Sequence, residues 1–234
     1  MTDIRGKILY GASVPMIKAF SGTMLDMDID RKLPLPEGAK IIAPNHPSMI
    51  DPFIMASIIG QRSYILITDV MFHVPVMGAY LRRLGHIPVA VGRGQSAIDR
   101  ALEHLQAGHT VMIFPEGANS PRHGGFVKER TGVARLAIAS GAPVIPTGIF
   151  LQRDRLQTLK SVVSGKIEYS HWYLRGPYAI TMGTPIRFDG DVEDRNYVKE
   201  VAHDVMLKIM RLAAESQQRW YHNNPPLTGQ LEIP

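Results

Sequence analysis

A histidine and an aspartate stand five residues apart, directly after an apolar run of the chain. Residues 39–43 have the pattern of a buried strand, and Asn45, His46 and Asp51 follow them. A histidine at the end of such a strand can accept a proton from a hydroxyl near neutral pH. A carboxylate beside it can hold the imidazole in one tautomer and stabilise the imidazolium ion. The spacing predicts His46 as a general base and Asp51 as its partner.

The same segment also has a purely structural interpretation. Ser48 would cap the following helix, Asp51 would complete a turn similar to a capping box, and His46 would satisfy a backbone group. The local residues alone leave both interpretations open.

A second acidic residue follows another predicted strand. Glu116 comes directly after the buried pattern of residues 110–114 and lies between a proline and a glycine, which is typical of a fixed turn. Two weaker signals are also centred on strands. They are residues 85–93, which end in Arg93, and residues 142–146, which read Ala-Pro-Val-Ile-Pro.

The order and spacing of these four blocks resemble the glycerolipid acyltransferase family, which includes lysophosphatidic acid acyltransferases. The resemblance covers residues 23–188 and implies a fatty acyl transfer from a thioester, either acyl-CoA or acyl-carrier protein, which would be a co-substrate. The acceptor would be a hydroxyl of a lysophospholipid or a related lipid. In this family interpretation His46 is the general base and Asp51 its partner, and no resident cofactor is needed.

The resemblance also implies a set of substrate-binding residues. Glu116 with Gly117 would shape the acceptor site, and Arg93 would offer a phosphate a charged donor. The complete implied set is Asn45, Arg93, Glu116, Gly117, Asn119, Arg122 and Arg130.

The chain departs from the family pattern where the family recognises a phosphate. The family commonly continues Glu-Gly-Thr-Arg-Ser, whereas this chain has Asn119 in place of the arginine. Losing a bidentate arginine would weaken phosphate binding by about 1.5–3 kcal/mol. Arg122 is the candidate to replace that arginine, and Arg130 the candidate to replace a lysine that the family carries downstream. The alternative acceptors are a sugar lipid, another hydroxylated lipid or an amine.

Three other functions compete with acyl transfer. In an acyl-thioester hydrolase, water would replace the acceptor. A dinucleotide-binding oxidoreductase would use the glycine-rich segment from Gly92 to Ala97, with Glu116 on the ribose hydroxyls. A lipid-binding protein without catalysis would not depend on His46.

The composition excludes several kinds of chemistry. The 234 residues, 45% hydrophobic and 20% charged, suffice for one globular domain. Because the chain has no cysteine, thiol catalysis and thiolate metal sites are excluded, and its histidines lack the spacing of metal ligands. The net charge of +5 suits an anionic partner but does not require a nucleic acid.

Strand and helix patterns alternate along the chain. This alternation predicts an α/β fold with a mostly parallel, mixed sheet covered by helices on both faces, and ligands at the carboxyl ends of its strands. Residues 152–178 mix aromatic and basic side chains, which favours a strand pair over a membrane interface. The predicted strands are 23–30, 39–43, 63–68, 86–91, 110–114 and 144–150, and the predicted helices are 48–60, 76–84, 95–107, 129–140 and 193–220.

The N-terminal residues 4–20 form a basic amphipathic helix pattern, which predicts docking either on the core or on a membrane. The expected organisation is an amphipathic segment at 1–22, an acyltransferase domain at 23–222 and a tail at 223–234. There is no apolar run near 18 residues and no clear cleavage pattern of a signal peptide. We therefore expect a cytoplasmic protein bound peripherally to the inner face of the membrane.

Overall fold

A computed structural model describes residues 4–90, 92–163 and 166–225 of the chain. The strands are β1 (Leu25–Arg31), β2 (Lys40–Pro44), β3 (Ser63–Thr68), β4 (Ile87–Val89), β5 (Thr110–Met112), β6 (Val144–Leu151), β7 (Gln157–Val163), β8 (Lys166–Trp172) and β9 (Gly176–Met182). The helices are α1 (Ile4–Met24), α2 (Asp51–Ile59), α3 (Met77–Leu84), α4 (Gln95–Gln106), α5 (Gly132–Ser140) and α6 (Arg195–Asn223). Short 3₁₀ turns cover Asp69–His73 and Arg153–Arg155.

Seven of the strands form one sheet in the order β1-β9-β6-β2-β5-β3-β4. The strands from β6 to β4 in this order are parallel, β9 is antiparallel to β6, and β1 is parallel to β9. The carboxyl ends of five strands therefore meet the amino ends of β1 and β9 at one edge of the sheet, called the site edge below. The predicted fold class, a mostly parallel mixed sheet with an N-terminal helix, is confirmed.

The two faces of the sheet support separate cores. In β2, which is buried throughout, Ile42 points into the core that contains α2, and Ile41 and Ala43 belong to the core that contains α4 and α6. This alternation follows from the two-residue period of a strand. A strand apolar on both faces is typical of a sheet covered by helices on both sides.

The apolar stripe of α1 is divided between the core and the surface. Ile17 and Phe20 pack against the core on the α2 face, whereas Ile4, Ile8 and Met16 are exposed. The helix continues to Met24, beyond the boundary expected at residue 22. At the other end of the chain α6 reaches residue 223, and residues 226–234 of the predicted tail lie outside the described residues.

The aromatic and basic segment 152–178 contains the strand pair that its composition predicts. β7 and β8 form an antiparallel hairpin outside the main sheet, with Gln157 opposite Trp172 at its base. The backbone N–H of Met49 donates to the carbonyl of His171 at 2.8 Å, so the hairpin is joined to the loop that carries His46.

Helix α6 lies so close to β6 that one position of the strand has no room for a side chain. A Cβ atom on Gly148 would lie 2.0 Å from the backbone nitrogen of Ala213, and the Gly148 carbonyl accepts a hydrogen bond from Ser216 Oγ at 3.0 Å. The contact joins two backbones, so neither partner can move aside without shifting the helix.

We predict that Gly148→Ala destabilises the fold by about 1–3 kcal/mol or more, because α6 must move away from the sheet. Gly11→Ala in α1 is the matched control, since a Cβ there meets nothing within 4 Å and alanine favours a helix by about 1 kcal/mol. Chemical denaturation of both variants measures the difference. Equal stabilities would contradict the close contact.

Candidate active site

The first residue of α2 is a buried carboxylate with three hydrogen-bond donors. Asp51 is fully buried, and its Oδ2 accepts from His46 Nδ1 at 3.0 Å and from the backbone N–H of Ser48 at 2.8 Å. Its Oδ1 accepts from the hydroxyl of Tyr178 at 2.6 Å. Hydrogen bonds of this kind compensate a carboxylate for the loss of water. The structure therefore places the predicted base and its predicted partner in direct contact.

Tyr178 donates to Asp51 as a neutral phenol. Burial, and next the charge of Asp51, raises the pKa of Tyr178 well above its ordinary value. With Nδ1 of His46 donating to the carboxylate, the imidazole is held in the tautomer that leaves Nε2 as its basic nitrogen. The ring of Phe114 lies 4.2 Å from the His46 ring, centroid to centroid, and restricts its orientation. This arrangement suits a general base.

The backbone of His46 is held as firmly as its side chain. Its N–H donates to Glu116 Oε1 at 2.9 Å, and its carbonyl accepts from the N–H of Ser120 at 2.7 Å and from Asn119 Nδ2 at 3.3 Å. Glu116 is fully buried and also accepts from Ser120 Oγ and from the N–H of Val127, each at 2.7 Å. Its carboxylate thus joins the loop after β5 to residues 45–51, the segment with His46 that is called the catalytic loop below.

Asn45 joins two strands at the site edge. Its Nδ2 donates to the carbonyl of Ile149 at 2.9 Å, and its Oδ1 accepts from the N–H of the same residue at 2.6 Å. The side chain is fully buried. Both polar atoms of the predicted substrate-binding Asn45 are therefore engaged with β6.

Gly117 and Arg130, also predicted to bind substrate, lie against each other. Gly117 has a positive φ of 66°, and a Cβ there would be 2.5 Å from Arg130 Nε. The Arg130 N–H donates to the carbonyl of Pro115 at 2.8 Å. The turn after β5 therefore requires glycine and brings the Arg130 side chain against the loop that carries Glu116.

A group of basic side chains surrounds the hairpin at the site edge. Arg122 Nη1 donates to Thr158 Oγ1 at 3.4 Å, and this hydroxyl is 3.1 Å from Nδ1 of His171. Burial lowers the pKa of His171, and the charges of Arg122 and Arg153 lower it further. Because the backbone of His171 bonds Ser48 and Met49, these cations lie beside the catalytic loop.

Arg153, in the 3₁₀ turn that follows β6, is half-buried and close to both carboxylates of the site. Burial lowers the pKa of its guanidinium, whereas the negative charges of Glu116 and Asp51 act in the opposite direction. The guanidinium donates to the backbone carbonyls of Pro121 and Gly125. It is therefore a cation of the site that the motifs did not indicate.

Arg93 and the glycine-rich segment lie apart from this group. Both follow β4, the edge strand, which is separated from β2 by β3 and β5. No described contact joins Arg93 to the His46 site. The dinucleotide interpretation is not supported, because the carboxylate of Glu116 is buried and bonded within the protein and so is not available to a ribose.

The structural interpretation holds for the turn that Asp51 completes, since its carboxylate accepts from the Ser48 N–H, but Ser48 is not the N-cap of the helix. Helix α2 begins at Asp51 with Ile50 as its N-cap, and no side chain caps it. Ser48 Oγ instead donates to the His171 carbonyl at 3.2 Å and accepts from the N–H of Tyr173 at 2.9 Å. Ser48 thus joins the catalytic loop to the end of the hairpin.

Two cavities open beside the catalytic loop. A groove of about 550 Å³ is lined by Asn45, Pro47 and Arg153 together with residues of α6. A pocket of about 270 Å³ lies between α1 and α2 and is almost entirely apolar. Its lining residues are Met16, Ile17, Phe20, Ile50, Phe53 and Ile54. The loop from Asn45 to Asp51 thus separates a polar groove from an apolar one.

Within the described ranges, no three His, Asp or Glu side chains are grouped so that they could hold a metal ion. The same part of the chain includes no helix with the length and hydrophobicity that crossing a bilayer requires.

Sequence reasoning missed Tyr178 and Arg153. Tyr178 is 127 residues from Asp51 along the chain and belongs to a strand whose placement beside β6 no local pattern indicates. For Arg153 the only signal was the general excess of basic residues in the segment that follows β6.

The mixed α/β sheet thus places the His46–Asp51 pair at its site edge. The family model described as Acyltransferase matches residues 27–150, more than half of the chain. The chain therefore belongs to the acyltransferase family, and the predicted family is confirmed.

Curated relatives match about half of this chain. The chloroplastic 1-acyl-sn-glycerol-3-phosphate acyltransferase BAT2 of Brassica napus is 30% identical over 119 residues, which are 49% of this chain and 33% of that protein. The 1-acyl-sn-glycerol-3-phosphate acyltransferase of Pseudomonas aeruginosa is 30% identical over 118 residues, 48% of this chain and 44% of that protein. Human 2-acylglycerol O-acyltransferase 3 is 28% identical over 119 residues, 48% of this chain and 33% of that protein. The chain thus matches less than half the length of each of these relatives.

A solved structure shares the fold over most of its length. The 1-acyl-sn-glycerophosphate acyltransferase PlsC of Thermotoga maritima superposes with a TM-score of 0.58 at 22% identity, covering 84% of this chain and 80% of that chain. The structural match thus covers a larger share of the chain than the family model does.

We predict that Tyr178→Phe destabilises the protein by about 1–3 kcal/mol, because it removes a donor from a buried carboxylate. Tyr173→Phe is the matched control. Tyr173 is equally buried, and its ring is 6.3 Å from that of Tyr178, but within the described residues its hydroxyl bonds no carboxylate. Urea denaturation compares the two variants, and an equal loss in both would argue against a special role of the Tyr178 hydroxyl.

Proposed function

We propose that this protein transfers a fatty acyl group from a thioester to a hydroxyl of a lipid acceptor. The observation that carries the proposal is the contact between His46 and the buried carboxylate of Asp51, at the site edge of an acyltransferase-family fold. The apolar pocket on one side of this pair suits a hydrocarbon chain, and the polar groove on the other side suits a headgroup.

His46 acts in both halves of the proposed reaction. Its Nε2 takes the proton of the acceptor hydroxyl while the oxygen attacks the carbonyl carbon of the thioester. The tetrahedral intermediate then collapses, the carbon–sulfur bond breaks, and the thiolate takes the proton from the imidazolium ion. Asp51 stabilises the transient positive charge of the imidazolium ion, while Tyr178 and the N–H of Ser48 continue to donate to its carboxylate.

The donor is a thioester of coenzyme A or of acyl-carrier protein. Both are anionic, and the net charge of +5 suits either of them. The reaction at the carbonyl is the same for both donors, because each presents the acyl group on the same kind of sulfur atom.

The acceptor in this proposal is a lysophospholipid with a phosphate headgroup. Asn119 donates to the His46 carbonyl, so the side chain that replaces the family's arginine serves the backbone of the loop. Arg153 and Arg122 supply the positive charge instead, because both act on His171 beside the catalytic loop and Arg153 lines the polar groove. Guanidinium groups bind phosphates through paired hydrogen bonds.

An uncharged monoacylglycerol is the second candidate acceptor. The relative named 2-acylglycerol O-acyltransferase 3 supports it, since that name specifies an acceptor without a phosphate. The positive charges of Arg122 and Arg153 favour the phosphorylated acceptor over this candidate.

In this proposal the protein binds peripherally to a membrane, and its site works at the cytoplasmic face of that membrane. Helix α1 supports this attachment, because Ile4, Ile8 and Met16 are exposed and residues 4–24 include three basic residues and no acidic one. Apolar and basic side chains together bind the interface of an anionic bilayer.

The proposed activity is tested by thiol release from acyl-CoA, with and without a lysophospholipid acceptor. We expect release that depends on the acceptor and falls about 10²–10⁴-fold in His46→Ala, since general-base catalysis contributes that much. Asp51→Asn should lose activity as well, whereas His73→Ala, an exposed histidine of the 3₁₀ turn, is the control that keeps it. Equal release with and without acceptor would indicate a hydrolase.

The acceptor class is tested by Arg153→Ala. We expect KM for a lysophospholipid with a phosphate headgroup to rise about 10- to 100-fold, as the loss of a charge-assisted pair implies. Activity on a monoacylglycerol should not change. Arg155→Ala, at an exposed residue of the same 3₁₀ turn, removes the same charge and is the control that should keep KM unchanged. If Arg153→Ala affects both acceptors equally, Arg153 serves the loop at Pro121 and Gly125 rather than a phosphate.

A further inference from the structure

The connection from β3 to α3 contains the one non-glycine residue with a positive φ in the described part of the chain. Val76 has φ 65° and ψ −56°, and the N–H of Met77 donates to the carbonyl of Pro75 at 2.7 Å. These angles and this bond form a γ-turn of the positive-φ type, which is rare and strained. For a β-branched residue the strain is largest.

The surrounding structure maintains this turn. The N–H of Gly78 donates to the carbonyl of Val74 at 2.8 Å, and a Cβ on Gly78 would lie 2.0 Å from the carbonyl oxygen of Phe72. Arg82 donates to the same oxygen. Helix α3 is thus packed directly on the preceding 3₁₀ turn, and the chain between them has no freedom to relax.

Packing of the Val76 side chain does not offset the strain of its backbone. Its side chain is 86% exposed, so the valine contributes almost nothing to the core. Glycine would adopt these angles without strain, and a polar residue would be better solvated. A strained backbone that presents an apolar side chain to solvent suggests that the side chain acts on something outside the chain.

The position of Val76 points to the kind of partner. β3 and β2 both run parallel to β5, so the connection that leaves Thr68 lies at the same edge of the sheet as the loop that carries His46. Helix α3 adds Arg82 and Arg83 and has no acidic residue, and it contacts α1, whose exposed side is apolar and basic. Exposed apolar side chains that lie near basic residues suit the interface of an anionic bilayer.

We propose that the Val76 turn inserts into the lipid surface beside the site edge and orients the catalytic loop toward it. This inference rests on the proposed function, in which the substrates are lipids. The turn provides a second attachment point, on a different element from α1. Two attachment points on separate elements fix the orientation of a protein on a surface, which a single helix does not.

The absence of cysteine from the chain permits a direct test with spin labels. Val76→Cys carries a nitroxide at the turn, and Leu33→Cys carries one at an exposed apolar residue that follows β1 at the opposite edge of the sheet. Each protein is mixed with vesicles of phosphatidylglycerol and phosphatidylcholine. We expect the label at 76 to become more accessible to oxygen and less accessible to a water-soluble nickel complex, and the label at 33 to stay unchanged.

Substitutions that remove the valine measure its contribution. Val76→Gly should weaken partitioning onto the same vesicles about three- to tenfold without lowering Tm, because glycine accommodates the turn and loses only the apolar side chain. Leu33→Gly should leave partitioning unchanged. Val76→Gly should also keep the wild-type rate of acyl transfer to a short-chain lysolipid dissolved below its critical micelle concentration.

Several results would overturn the proposal. A label at 76 that remains equally accessible to nickel while the protein is bound to vesicles would exclude insertion. A label that is immobilised without vesicles, at rising protein concentration or on addition of acyl-carrier protein, would identify a second copy or that donor as the partner instead. A protein that inserts Val76 but transfers no acyl group would contradict the proposed function and leave the attachment intact.

Discussion

The buried carboxylate of Asp51 is the constraint on which the site depends. A carboxylate without exposure to water is tolerated only when donors compensate it, because desolvation costs several kcal/mol per ion. Two donors, His46 and the N–H of Ser48, come from the same loop, and the third, Tyr178, comes from β9. Because β9 runs antiparallel to β6, the beginning of β9 lies beside the end of β6. Tyr178, the third residue of β9, is opposite Leu151, the last residue of β6. The reversed strand thus brings the phenol to the site edge.

The family's motif residues are used mainly to position His46. Asn45 bonds both backbone groups of Ile149, Glu116 accepts from the His46 N–H, and Asn119 donates to the His46 carbonyl. These side chains therefore determine where the imidazole lies, and the hydrogen bonds described for their polar atoms are made within the protein.

Sequence patterns predicted the local parts of the site and failed for the distant ones. Only four residues separate His46 from Asp51, so the chain keeps them near each other, and β2 was recognisable from its apolar run. Tyr178 reads in the sequence as one aromatic among several. Periodicity reports which residues are buried, but it does not report which buried groups meet. The order of the strands, which decides that meeting, rests on contacts between segments far apart in sequence.

Position 119 carries a neutral side chain, and positive charge at the site edge comes from another element. An arginine there would extend a cation from the loop after β5, whereas Asn119 is short and neutral and donates to the backbone of the catalytic loop. Arg153 approaches from the end of β6, near enough for Glu116 and Asp51 to favour its charge. Its two bonds to the carbonyls of Pro121 and Gly125 leave further guanidinium donors for a ligand. Positive charge therefore remains at the site edge, but it is held by the 3₁₀ turn that follows β6. Because the Arg153 guanidinium donates to carbonyls of the loop after β5, that turn and that loop fix its position together.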